Sequence, residues 1–498
     1  MSVVLNSIAA MASRYPDKTA LQTSHCQLSY AELDTTLDQL CAELDLFNAS
    51  VIGLLAENGI PWALLDLSAL TLDIPIVPLP LFFSQKQVWQ AILDAGVDYI
   101  FTDQPEFCSQ FLQQNHLEYE VIGKWDGLSV IKLLNVSVLQ LPADTQKITY
   151  TSGSTSEPKG VCLSNKRIEQ VLESLVLASE ASASDHHVCV TPLSTLLENL
   201  SGLYVPLMVG ATVYLPAMHE VGLHGATSFD VIKMITVLER FKATTLVLAP
   251  QMLFAMVMAA KSGLLAHVQL RFVAVGGAPV SSKLLLQARQ LNIPVFEGYG
   301  LSECGSVVAL NTRLFYKIGS VGKPLAHIKL SIKEDGEILI EDPAFISYLG
   351  KPIPPKHWPT GDIGYLDKQG YLYITGRKKN MYITSFGRNI SPEWIESELT
   401  IQQEIAQIAV FGDARPFNVA IVFPRQACSD QAVEAAIQLA NSSLPDYACI
   451  KVWFKASQPF STTNQQLTSN GRLRREAIRL AYAEQLDEVY KDQLNDVF

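Results

Sequence analysis

The stretch ITYTSGSTSEPKGVCLSN, residues 148–165, concentrates groups that bind anions. A β-branched run, KITYTS, ends in a loop of Gly, Ser and Thr, and Pro158, Lys159 and Gly160 follow it. Such a loop offers backbone N–H groups and hydroxyls to a phosphate, with the lysine as a point charge. It is not a Walker A loop, in which Gly-Lys-Ser/Thr opens a helix, because here Lys159 precedes Gly160 and Val161. Taken alone, the loop also fits an ordinary surface turn. A second stretch, LTSNGRLRREAI (467–478), carries Arg472, Arg474 and Arg475 just after Asn470 and Gly471. It reads either as the basic edge of a surface helix or as a cation delivered to a distant anion site.

The chain has 498 residues, 48% of them hydrophobic, enough for one large α/β unit and a smaller one. Its net charge of -12 argues against a sequence-independent nucleic-acid binder, which needs a broad basic surface. A local basic pocket for a phosphate remains compatible with it. Eight cysteines lie at 26, 41, 108, 162, 189, 304, 428 and 449, with no CxxC pair, as expected of buried thiols in a reducing cytoplasm. His186 and His187 precede a strand-like run and have no carboxylate or cysteine at ligand spacing, so they read as structural or surface residues. Residues 1–20 lack a basic region before their apolar stretch and read as an amphipathic helix, not a signal peptide. No stretch qualifies as a membrane span: 51–83 is broken by Glu57, Asn58, Asp66 and Asp73. The run 203–218 is short of the ~20 apolar residues a crossing takes.

The elements that must position these groups alternate. SVIGLLAE reads as a strand, PWALLDLSALTL as a helix with Pro61 in its first turn, and IPIVPL as a strand. SQKQVWQAILDAG is a helix with Ser84 as N-cap and Gly96 past its end. VDYIFTD, ATTLVLAP, RFVAVGGAP and IPVFEGYG continue the strands, and such alternation predicts parallel sheets with both faces covered by helices. After about residue 315 the texture changes. HIKLSIKEDGEILIED is a hairpin with an Asp-Gly turn, and GYLDKQGYLYITG is a second hairpin. SPEWIESELT reads as a helix with Ser391 as N-cap and Pro392 in its first position, and IAQIAVFG and NVAIVFP as paired strands. The predicted organisation is therefore α/β. A large N-terminal domain, 1–376, carries a small β subdomain. A short joint, 377–380, leads to a small mobile α+β domain, 381–498.

In this frame the phosphate loop resembles the signature of the acyl-adenylate-forming (AMP-binding) enzymes, closest to fatty acyl-CoA synthetases and fatty acyl-AMP ligases. The family's other motifs follow in order over nearly the whole chain: AVGGAP (274–279), EGYGLSE (297–303), GSVGKP (319–324), PTGDIGYLD (359–367) and TGRKKN (375–380). The resemblance implies a nucleotide site made of Thr151, Ser152, Gly153, Ser154, Thr155, Gly277, Ala278, Pro279, Glu297, Gly298, Tyr299, Gly300, Ser302, Asp362, Ile374 and Arg377. Within it Tyr299 would stack on adenine, with Ile374 packed nearby. Ser302 would reach the α-phosphate, Asp362 the ribose, and Arg377 the ribose or phosphate. Glu303 and Thr151 would hold Mg²⁺, Lys159 would stand by the phosphates, and Lys379 falls at the hinge position. The implied reaction joins a carboxylate to the α-phosphate of ATP and expels pyrophosphate. A thiol, of coenzyme A or of a carrier protein's phosphopantetheine, then takes the acyl group. Two anions must meet in the first step, so the site must cancel charge.

Three positions depart from the family pattern: Ser156 for Gly, Phe386 where two glycines often stand, and Arg472 at the bridging lysine. Arginine keeps the charge but is planar and bulkier, with its donors in a fixed fork. Two readings stay open: an acid–thiol ligase in which Arg472, Glu303 and Lys159 act at the reacting groups, or a nucleotide-binding relative with weak or no adenylation. A luciferase-like oxygenating activity rests on fold analogy alone. At the acyl end, TPLSTLLENLSGLYVPLMVGATVYLP (191–216) matches the acid-binding segment, with Thr195 where long-chain enzymes often have His. Glu198, Asn199 and Gly202 follow on one helical stretch, and Thr195 and Glu198 are the candidate acid-pocket residues. No charged residue stands out as the partner of an amino group, so a medium- or long-chain fatty acid is expected, with aryl acids open.

Overall fold

The computed structural model describes residues 2–135, 140–151, 159–224, 228–425, 428–468 and 471–495. Two large sheets organise the N-terminal part. In the first, Ile52–Leu55 lies between Ile76–Pro78 and Tyr99–Thr102, all parallel, and Thr145–Thr151 runs parallel to Ile76–Pro78. The crossovers are the helices Ile60–Thr71 and Gln85–Ala95. The second helix starts in a capping box between Ser84 and Gln87, and Gly96 ends it in the left-handed conformation. The second sheet sets His186–Val188, Thr245–Leu248, Phe272–Val275 and Val295–Tyr299 side by side and parallel. Apolar clusters fill the space between these sheets and their helices.

The phosphate-loop strand does not lead into a helix. Thr145–Thr151 folds back against Lys159–Ser164, with Thr151 directly opposite Lys159. Phe345–Tyr348 adds antiparallel to the second of these strands. A separate four-stranded antiparallel sheet contains Lys329–Ile332, Glu337–Glu341, His357–Leu366 and Leu372–Arg377. It includes both hairpins predicted from their Asp-Gly and Gly-containing turns. On one face lie Ile338, Ile340 and Leu372, against which Tyr299, Leu301 and Ile374 pack.

The C-terminal domain is a three-stranded sheet. Ile405–Phe411 and Asn418–Pro424 are antiparallel, and Ile450–Lys455 is parallel to the latter. Helices Pro392–Leu399 and Asp430–Asn441 cover one face, while Arg475–Ala481 and Ala483–Asn495 cover the other. Ser391 occupies the N-cap position, but its hydroxyl donates to the Glu393 carboxylate (3.2 Å) instead of capping a backbone N–H. This domain rests on the N-terminal one. Ile401 joins an N-terminal apolar cluster, Arg425 lies over the Phe254 ring (5.5 Å), and Glu398 is hydrogen-bonded to Ser281.

The helical stretch expected after Thr195 is present as one unbroken run, with a π-turn in its middle. A short α-turn, Leu196–Glu198, passes into a π-helix, Asn199–Tyr204, and then into Val205–Met208. At Gly202 a Cβ would come within 2.3 Å of Glu198 Oε1 and 2.7 Å of His187 Nε2, so only glycine leaves room for those two side chains to meet against this turn. π-turns of this kind are frequent at functional sites.

Candidate functional site

The strand Val295–Tyr299 ends at Gly300, where a side chain would fall 1.6 Å from the Ser306 carbonyl oxygen, so only glycine lets the chain turn back here. The turn Ser302–Cys304 then carries Glu303 across to Tyr348, whose hydroxyl donates to Glu303 Oε1 (2.6 Å). The Lys159 ammonium stands over the ring of the same tyrosine, 5.2 Å from its centre. Lys159, at the end of the phosphate-loop hairpin, and Glu303, about 140 residues later, are thus joined through Tyr348. That residue was not among the sequence candidates. No spacing signal marks it, because its partners come from other strands.

Tyr299 faces the small sheet. Its hydroxyl donates to Asp362 Oδ2 (2.6 Å), and Asp362 Oδ1 meets Arg377 Nε (2.8 Å). The last pair sits directly opposite on adjacent strands, His357–Leu366 and Leu372–Arg377. Asp362 is buried. Burial raises its pKa, while Arg377, the Tyr299 hydroxyl and Arg472 pull it down. The Tyr299 hydroxyl is held far above its usual range, by burial first and then by Asp362. Ile374 packs in the same apolar cluster as Tyr299. Glu297, at the base of this strand, is buried, and its pKa rises to about 8, with the Val280 N–H opposing the effect of burial.

The C-terminal domain contributes the remaining cation. Thr468 and Arg472 close a tight turn: the Thr468 N–H donates to the Arg472 carbonyl (2.7 Å), and the Arg472 N–H to Thr468 Oγ1 (3.1 Å). From its tip, Arg472 Nη2 donates to the Gly277 carbonyl (2.9 Å) on the other domain, in the turn that follows Phe272–Val275. Water reaches the guanidinium, yet protein surrounds it on several sides. That desolvation lowers its pKa, as does Arg377, against the attraction of Asp362 and Glu303. Burial, Arg377 and Arg472 likewise lower the pKa of Lys379, with Glu393 and Asp362 opposing. Four cations, Lys159, Arg377, Lys379 and Arg472, thus gather around three carboxylates, Glu303, Asp362 and Glu393, with Lys159 joined to Glu303 through Tyr348. This local surplus of positive charge suits a polyphosphate in a chain that is acidic overall.

Of the remaining candidates, Ser152, Gly153, Ser154 and Thr155, together with Ser156, lie outside the described residues. Thr151 ends its strand beside them, and Ser302 opens the turn that carries Glu303. Thr195 donates its hydroxyl to the Pro192 carbonyl (2.7 Å). Glu198 is fully buried. Its carboxylate meets His187 Nε2 (3.1 Å) and the Thr191 hydroxyl, and Thr245 Oγ1 lies at His187 Nδ1 (2.9 Å). His187 is buried, as a structural residue would be, but the reading that it has no carboxylate or cysteine at ligand spacing is corrected here: the donor atoms of His187, Cys189 and Glu198 all lie within 4.8 Å of one another. Strand register brings His187 and Cys189 beside the π-helix, a proximity that linear spacing does not encode. Phe386 stands exposed in the turn between Tyr382–Ile383 and Asn389–Ile390.

Comparison with known proteins gives this geometry a context. Residues 8–344 match the family described as AMP-binding enzyme, and residues 379–494 match the AMP-binding enzyme C-terminal domain. The chain is 28% identical to the 2-succinylbenzoate–CoA ligase of Listeria innocua, over 82% of this chain and 86% of that one. It is 28% identical to the long-chain-fatty-acid–CoA ligase FadD15 of Mycobacterium bovis, over 44% of this chain and 42% of that one. Its fold is similar to that of the anthranilate CoA ligase AuaEII in complex with anthranoyl-AMP (TM-score 0.81, 18% identity, 98% of each chain). It is also similar to that of the O-succinylbenzoate coenzyme A synthetase of Bacillus subtilis in complex with ATP and magnesium (TM-score 0.75, 22% identity, 95% of this chain and 98% of that one).

Proposed function

The chain belongs to the AMP-binding enzyme family, and from its site we propose that it is an acid–thiol ligase. It joins an apolar carboxylic acid to ATP as an acyl-adenylate, releases pyrophosphate, and passes the acyl group to the thiol of coenzyme A. The observation that carries this reading is the insertion of Arg472 between the domains, on the Gly277 carbonyl and within the field of Asp362 and Glu303. The arginine that stands at the family's lysine position in the sequence thus reaches the other domain. That favours retained adenylation over a relative that only binds nucleotide.

In the first step one oxygen of the acid's carboxylate bonds to the α-phosphorus of ATP, and the bond to the pyrophosphate oxygen breaks. Arg472 lies where it can bridge the two anions, and its fork can serve both with parallel hydrogen bonds. Asp362 takes the ribose hydroxyls, Arg377 holds Asp362 and faces the phosphates, and Tyr299 with Ile374 forms the adenine wall. The turns at 277–279 and 297–300 frame the base, and Ser302 faces the α-phosphate. The loop 152–155 and Lys159 receive the β- and γ-phosphates. Glu303 fits a Mg²⁺ ion: Tyr348 occupies one of its oxygens, and the other has no hydrogen-bond partner among the described residues. Together with Thr151, that oxygen-only donor set suits a hard cation. When bound, Mg²⁺ supplies charge neutralisation of the phosphates.

The segment 377–380, with Lys379, is the hinge in this reading, and 381–498 is the lid that swings on it. Thr195 and Glu198 flank the acid end, where Glu198 acts from behind the pocket wall because its carboxylate is already engaged by His187 and Thr191. The named acids of the relatives span an aryl acid and a long fatty acid. The wider coverage of the aryl ligase puts aryl acids first and fatty acids second. Eight unpaired cysteines support a cytoplasmic location. No helix among the described residues is long and apolar enough to cross a membrane. The test is pyrophosphate release with ATP and Mg²⁺ across a panel of aryl and fatty acids, with CoA and a pantetheinylated carrier protein as separate acceptors. Acid-dependent release followed by a CoA thioester detected by mass is the expected result. Silence across the panel sinks the proposal, and thioester on the carrier alone replaces the acceptor.

A further inference from the structure

Arg475 stands three residues beyond Arg472 and opens the helix Arg475–Ala481. It takes no direct part in the cleft. Its Nη1 and Nη2 fork onto Glu396 Oε1 (2.8 Å) and Oε2 (2.5 Å), its Nε reaches Glu393 Oε1 (3.4 Å), and Nη1 also donates to the Val410 carbonyl (3.3 Å). Both carboxylates lie on the helix Pro392–Leu399. Glu396 Oε1 accepts the Val410 N–H as well (2.8 Å). Glu393 Oε1 also accepts Asn380 Nδ2 (2.5 Å), and Asn380 sits in the turn after Arg377, its N–H on the Arg377 carbonyl (2.9 Å). The arginine is only 15% exposed and Glu396 9%.

These contacts form a closed path. It runs from Arg377 in the cleft through the Asn380 turn to Glu393, across to Arg475, and along three residues of backbone to Arg472, which returns to the cleft at Gly277. A forked arginine–carboxylate pair fixes both distance and angle. An Asn–Glu hydrogen bond at the joint between domains adds a tie at the pivot. We infer that Arg475 is the positioning residue for Arg472: it locks the Thr468–Arg472 turn to the helix Pro392–Leu399 and to the joint. The docked domain thereby delivers the Arg472 guanidinium at one fixed place. The demand for such a lock is steep, because a displacement of about 1 Å at a reacting centre can cost on the order of 100-fold in rate.

The inference rests on the adenylation reading, and one experiment separates the two. Pyrophosphate release by the full chain is measured with the acid that best supports it, for wild type, Arg475→Lys, Asn380→Ala, Arg472→Ala and the double variant Arg472→Ala/Arg475→Lys. Lysine at 475 keeps the charge and loses the fork. The expected result is a kcat lower by about 10-fold with the KM for ATP within about 3-fold, and a smaller loss of about 3-fold in Asn380→Ala. In the Arg472→Ala background the Arg475→Lys change should cost less than about 2-fold, since a residue that acts only through another has nothing left to position. A full second loss in that background overturns the inference, as does an unchanged kcat. Where Arg475→Lys does not fold, Asn380→Ala with and without Arg472→Ala decides by the same non-additivity. A wild type that releases no pyrophosphate defeats the proposed function instead.

Discussion

Two of the groups of opposite charges in this molecule differ in whether their bonds are already spent. In the N-terminal core, Lys147 Nζ donates to Asp66 Oδ1 (2.7 Å), Asn199 Oδ1 (2.5 Å) and the Tyr204 hydroxyl (3.2 Å). Asp66 Oδ2 accepts from Asn199 Nδ2 (2.8 Å) and Tyr204 (2.7 Å). All three ammonium protons are used, and every member is buried. Burial pulls the lysine's pKa down while Asp66 resists. In the cleft, by contrast, four cations face three carboxylates, and among the described residues Arg472 is tied to the opposite domain by one backbone carbonyl. A closed network has nothing left to offer a ligand, and its work is to hold Thr145–Thr151, Ile60–Thr71 and the π-helix in register. An open one keeps donors in reserve, and that is where anion chemistry belongs.

The largest effect that tests this contrast is on stability. Lys147→Met leaves Asp66 buried without its counter-charge, and it should cost roughly 3–5 kcal/mol, read as a lower melting temperature, while the folded fraction keeps its rate of pyrophosphate release. A loss of rate in the folded fraction would erase the distinction between the clusters. Arg472→Ala should do the reverse: a rate lower by about 100- to 1,000-fold with the melting temperature unchanged. Restoring the family's lysine with Arg472→Lys then tells whether the arginine is tuned, in which case the rate falls, or tolerated, in which case it holds or rises.

Glu297 lies between the two cases, a buried carboxyl next to the open site. Its folded pKa of about 8 is above the ordinary 4.5, so between those values the native state keeps a proton that the unfolded chain has released. Stability therefore falls as pH rises through that window. Glu297→Gln should melt close to wild type at pH 5 and above it at pH 8.5, by a margin on the order of 1–3 kcal/mol. A gap that does not grow with pH would place the Glu297 carboxylate in a better-solvated setting. The smallest effect is expected at Tyr348. Removing its hydroxyl with Tyr348→Phe frees Glu303, and pyrophosphate release should slow by about 3- to 10-fold and need more Mg²⁺.

Much of the frame was legible because its causes are local. Ser84 and Gly96 bound a helix through hydrogen bonds within a single turn. The Asp-Gly turn and alternating residues of 327–342 needed only their own neighbours to form a hairpin. Tyr299, Glu303, Asp362 and Arg377 were legible as site candidates through a family motif. Tyr348 was not, nor was the meeting of His187 with Glu198, because both depend on strands and a π-turn brought together by packing.

The sequence by itself determined the strand–helix order, the turns and the stock of charges, since period, capping and turn chemistry act over a few residues. It also supplied three arginines, Arg472, Arg474 and Arg475, of which only the family resemblance singled out Arg472. Only the tertiary structure decided that Arg472 projects into the cleft while Arg475 is consumed by Glu393 and Glu396. The reason is physical: an arginine's role is set by which carboxylates and carbonyls surround it once water is excluded. Those partners lie some 80 to 200 residues away along the chain.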